Sequence, residues 1–127
     1  MAKWANADIQ DGGLTALKTT ALRMILIKAY TAGDSYATVV GNAVCTIVMA
    51  SGDFTLSGAA GATRVNTVAA KSGTAAANSG AVPDLHVALT DNVSKVLLVT
   101  DELTDQTVVI GNTVNFPAWT YSIPQPV

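Results

Sequence analysis

The stretch Thr113-Val114-Asn115-Phe116-Pro117-Ala118-Trp119-Thr120-Tyr121-Ser122-Ile123 decides how the rest of the chain is read. Threonine, valine and aromatic residues alternate with polar ones, the pattern of a strand with two different faces. Trp119, Tyr121 and Ile123 fall on one face, and Phe116, Ala118 and Thr120 on the other. Working backward, segments of the same kind recur at Val44–Met49, Asp53–Leu56, Thr63–Ala70, Leu85–Leu89, Lys95–Thr100 and Thr107–Ile110. Between them stand Ser51-Gly52, Gly58 to Gly61, Asp91-Asn92 and Gly111-Asn112, all turn chemistry. Short strands at this spacing predict a mainly β protein, an antiparallel β-sandwich or barrel, with one or two short helices in the N-terminal third.

The N-terminal third breaks the cadence. Residues 1–10 have no periodicity and read as an arm, leaving 11–127 as a single β-rich domain. Asp11 is placed to cap a short helix through Leu14 and Leu17 to about Thr20, although Gly12 and Gly13 weaken it. Leu22 to Tyr30 is apolar on both alternating faces, as in a strand covered on both sides. Asp34 to Asn42 fits a helix capped by Asp34 and ended by Gly41, or a hairpin turning at Gly41-Asn42. Ser72 to Pro83 is small, uncharged and featureless, either a mobile loop or a segment ordered by a neighbour.

Composition narrows the function classes. Half of the 127 residues are hydrophobic, but 21 of them are alanine, while only 13% are charged. So few charges leave apolar surface to be covered by other subunits, the condition of an obligate interface. The net charge is −2, and Lys3, Lys18, Arg23, Lys28, Arg64, Lys71 and Lys95 are scattered rather than gathered into a stripe, which argues against a nucleic-acid partner. The longest aliphatic run, Met24-Ile25-Leu26-Ile27, is far short of the roughly 20 residues of a membrane span. Residues 1–20 show no apolar signal core.

Chemistry finds little to work with. Cys45 lies in a small apolar run, without the base and open setting that a nucleophile needs. His86 alternates away from the Leu85/Val87/Leu89 face and reads as a surface or interface histidine; alone it makes no metal site unless three copies meet on a threefold axis. Asp101-Glu102-Leu103-Thr104-Asp105 reads as a solvated turn. No nucleophile elbow, phosphate loop or carboxylate pair stands out, so no catalytic residue, cofactor or metal is assigned and no enzyme is expected. Trp119 reads as core, as an interface anchor or, with Tyr121, as a sugar-stacking platform.

The order of segments resembles a family of small virion structural proteins of tailed bacteriophages, the capsid decoration or cement proteins. The resemblance rests on Asp11-Gly12-Gly13-Leu14 followed by Ala21-Leu22-Arg23-Met24, on Gly52-Asp53-Phe54, and on Arg64 to Lys71. It continues through His86-Val87-Ala88-Leu89-Thr90-Asp91, Leu97-Leu98-Val99-Thr100, Gly111-Asn112-Thr113-Val114 and Pro117-Ala118-Trp119. It implies a non-enzymatic protein made in the host bacterial cytoplasm and carried on the capsid surface. Its partners would be the major capsid protein and copies of itself, a trimer being favoured. Lys3 and Trp4 of the arm, with Trp119 and Tyr121, are the expected contact residues. A neck, tail or fibre element, or a carbohydrate-binding adhesion module, is the alternative.

Overall fold

A computed structural model describes residues 4, 6–59, 62–101 and 105–124. The described elements are mainly β: nine strands in three antiparallel sheets, with two α-helices in the N-terminal third. Where the sequence suggests one domain after an arm, the chain gathers into two compact units. One comprises residues 1–20, 50–70 and 117–127, the other 21–49 and 71–116.

In the first unit, helix α1 spans Ala7–Thr20. It starts within the expected arm, four residues before the Asp11 cap read from the sequence. Asn6 is the reason: its Oδ1 accepts from the Asp8 amide at 2.8 Å, the hydrogen bond of an N-cap. Asp11 is thereby freed for a different task. The unit's sheet has the order β3-β4-β9, formed by β3 (Phe54–Ser57), β4 (Arg64–Val68) and β9 (Trp119–Ile123). Register places Asn66 opposite both Leu56 and Tyr121, and Val68 opposite both Phe54 and Trp119, so these side chains share one face. Helix α1 lies on that face. Asn66 Nδ2 donates to Leu14 O at 3.1 Å, Lys18 Nζ donates to Phe54 O at 2.6 Å, and Leu14, Phe54, Asn66 and Val68 are all buried. Thr55, Thr67 and Thr120 form a row on the opposite face.

In the second unit, the sheet order is β2-β1-β6-β7. Here β1 is Arg23–Ile27, β2 Ala43–Val48, β6 His86–Thr90 and β7 Val96–Asp101. Both faces of β1 are buried, as its unbroken apolar run predicts: Met24, Ile25, Leu26 and Ile27 are each at most 5% exposed. One face carries Ile25, Ile27 and Ala88, packed with Val39 of helix α2 (Tyr36–Gly41). The helical reading of this segment holds, but the cap is Ser35, whose Oγ accepts from Thr38 N. Asp34 instead accepts from the Thr31 amide. The other face carries Cys45 and Ile47 under a two-stranded ribbon of β5 (Lys71–Thr74) and β8 (Thr113–Phe116). At Gly73 the approach is so close that a Cβ would overlap Ile47 Cδ1 and lie 3.1 Å from Cys45 Sγ.

Two strand readings are corrected. Thr113–Ile123 is not one strand but two, in different sheets, because Pro117 has no amide to donate and restricts the residue before it. Phe116 therefore does not share a strand with Trp119. Thr107–Ile110 is not a strand either. It is tied to Asn78 and Ser79: the Val108 amide donates to Ser79 Oγ at 2.7 Å, and the Ile110 amide donates to Asn78 Oδ1 at 2.8 Å. The Ser79 amide returns a bond to Val108 O. The featureless segment 72–83 is thus ordered from within its own chain.

Candidate functional site

The expected contact residues separate. Lys3 lies outside the described residues. Trp4, ahead of α1, is 64% exposed. Trp119 and Tyr121 sit on β9, an edge strand bonded on one side to β4 and bracketed by Pro117 and Pro124. Trp119 is half-buried, with its Nε1 shielded and lacking an acceptor among the described residues, while Tyr121 is 40% exposed. A sugar-stacking platform therefore has only Tyr121 well open to solvent; Trp119 is chiefly a packing residue.

Around β9, the first unit is fastened by polar groups whose partners the sequence did not reveal. Gln10, 3% exposed, donates from Nε2 to both Ala62 O (3.1 Å) and Ile123 O (3.0 Å). Arg64 donates from Nε to Asp11 Oδ1 at 2.9 Å and from Nη2 to Asp11 Oδ2 at 3.0 Å, a bidentate pair. Its remaining Nη1 donates to Gly58 O. The hydrogen bonds from Arg64, reinforced by its charge and opposed by partial desolvation, hold the Asp11 carboxyl below its usual range. The same bonds raise the Arg64 guanidinium. Asp11 had read only as a helix-start residue. Only the partner Arg64, far away in sequence, distinguishes Asp11.

In the second unit, aliphatic side chains stand open: Val48 on edge strand β2 (68% exposed), Leu22 just before β1 (42%), and the neighbours Val109 and Ile110. The loop joining β6 and β7 is closed by Asp91, whose Oδ1 accepts from the amides of Val93, Ser94 and Lys95. Those bonds, led by that from Lys95, lower its carboxyl. This is turn construction. Burial raises the Cys45 thiol, which fits a packed, inert cysteine.

His86, read from the sequence as a surface or interface histidine, has a side chain only 15% exposed. It begins β6, opposite Ile27 on one side and Asp101 on the other. Its Nε2 is 3.8 Å from Asp101 Oδ1, and its Nδ1 is 3.8 Å from Asp84 Oδ1 and 3.1 Å from Asp84 O. The Tyr30 ring packs against the imidazole at 5.5 Å between centroids, tilted by 47°. The main chain is pinned on both sides: the Asp84 amide donates to Lys28 O, and the Leu85 amide donates to Asp105 Oδ1 at 2.7 Å. Of the acidic run read as a solvated turn, Asp105 is thus engaged, Asp101 stays largely exposed, and residues 102–104 lie outside the described residues. Asp84, two residues before His86, was the only local signal; Asp101 joins them through strand register alone. No family model, curated protein or solved structure matches this chain.

Proposed function

We propose that this chain is a structural component of a bacteriophage virion, a decoration or cement protein bound to the outside of the head shell. The observation that supports assembly is exposed aliphatic surface in a charge-poor unit. Val48 is exposed on β2, at one edge of its sheet, and Leu22, Val109 and Ile110 are exposed elsewhere in the same unit. In a chain with 13% charged residues, such positions lose little by way of charge desolvation when covered by another protein. Strand edges add main-chain hydrogen bonds to whatever docks there. Many copies on one shell convert weak contacts into firm attachment. The resemblance of the segment order to cement proteins supplies the phage assignment, the major capsid protein as partner and the trimer as the favoured self-assembly.

The test is image reconstruction of purified particles carrying this chain, with copy number measured by quantitative mass spectrometry. Density for the chain repeating with the shell lattice is the expected result. Copies confined to one vertex or to the tail would replace the cement reading with a neck, tail or fibre element. Absence from purified particles would end the virion proposal.

A further inference from the structure

We infer that Asp84, His86 and Asp101 form a binding site for a divalent transition-metal ion of the zinc class. One nitrogen of His86 and one carboxylate oxygen from each aspartate lie within 4.8 Å of one another. The inference turns on where the lone pairs point. A main-chain carbonyl can only accept, so in the 3.1 Å contact with Asp84 O the His86 Nδ1 is the donor. In the neutral ring Nε2 then carries a lone pair, and it faces the Asp101 carboxylate, which also only accepts, across 3.8 Å. A positive centre between these two acceptors would bond to both. Donors each about 2.0–2.2 Å from a tetrahedral ion are separated by roughly 3.4 Å, so closing the shell on Nε2 takes rotation of Asp101 and of Asp84, whose Oδ1 stands 3.8 Å from Nδ1.

The surroundings suit such an ion. Metal-bound histidines commonly donate their other ring nitrogen to a carbonyl, which fixes the tautomer and ring plane. The imidazole is held by that bond and by Tyr30, and its side chain is 15% exposed. The two carboxylates are 63% and 65% exposed and free to adjust, with solvent available for a fourth ligand. One nitrogen and two monodentate oxygens favour zinc, cobalt or nickel over calcium or magnesium, which want more oxygens. The competing occupant is a proton, making His86 an imidazolium between two aspartates.

The experiment is calorimetric titration of the untagged full chain with zinc chloride, and separately with magnesium and calcium chloride. Cobalt(II) absorption serves as a second probe. Expected are saturable binding of one zinc per chain in the micromolar range and a visible cobalt band. Asp101→Asn and Asp84→Asn should each weaken binding at least tenfold while leaving the metal-free melting temperature unchanged, and His86→Gln should abolish it. The two aspartate variants keep the test decisive if His86→Gln does not fold. Unsaturable binding, aspartate variants that bind like the parent, or equal affinity for magnesium would overturn the site and leave the imidazolium.

Discussion

At Asp11 a carboxylate that the sequence presents as a helix cap is used as an ion-pair partner. Its folded carboxyl is lowered, so its contribution to stability is present above the unfolded value near 3.8 and is lost as pH falls through the folded value. Asp11→Asn should therefore lower the melting temperature at neutral pH, and the gap from the parent should close in acid as pH falls below 3.8 and through the lowered folded value. Thermal melts of both proteins across that range check it; a gap that persists in acid would show that the pair contributes nothing through charge. Trp119 invites a second measurement. It lies opposite Val68 on the face beneath α1 and is half-buried, so Trp119→Ala should cost roughly 2 kcal/mol, below the 3–5 kcal/mol typical of a fully enclosed aromatic. Denaturant unfolding reads this directly, and a variant as stable as the parent would remove Trp119 from the packing. Neither Asn66, buried with its Oδ1 lacking a donor among the described residues, nor Gln10 was legible in the sequence. A buried amide looks like any other Asn or Gln until its distant partners are known.

Strands and helices were more readable than single residues, and the failures have physical causes. Period-two alternation located β2, β6 and β7 to within a residue and placed β1 inside an expected strand that ran three residues too far, because each has an apolar face that must be covered. Alternation also ran straight through Pro117, since side-chain pattern carries no record of a missing amide. At Thr107–Ile110 the β-branched residues were present, but their amides find side-chain oxygens rather than a ladder. Strand β5 was not distinguished from a loop because glycine, serine and threonine dominate it. Its seat is Gly73, and Gly73→Val should cost about 1–3 kcal/mol by overpacking against Ile47 and Cys45. The same substitution at Gly52, where a Cβ meets nothing within 4 Å, is the control. Equal loss at both positions would mean that β branching, not crowding, sets the cost.

For the molecule as a whole, the fold class was legible and the two-unit arrangement was not. Each unit is assembled from separated segments, so no composition shift or linker marks a boundary along the chain. Exposure of aliphatic side chains in a charge-poor protein leads to a measurable expectation of self-association. Light scattering at micromolar concentration should give a mass above one subunit, and Val48→Lys with Ile110→Lys should shift it toward the monomer. Monomeric parent protein would remove self-assembly while leaving attachment to a shell intact.

The discontinuity of the units governs how fast the chain reaches its folded state. The centre of one sheet joins Ile25 to Ala88, and the centre of the other joins Asn66 to Tyr121. Neither pairing can form until a long intervening stretch has been looped out, at an entropic cost incurred before any contact repays it. Refolding from denaturant should accordingly take milliseconds to seconds rather than microseconds. During that interval β2 and β9 lack their native neighbours, and concentrated chains have time to find each other's strands first. Yield on refolding should fall as protein concentration rises, even where the finished protein is fully soluble.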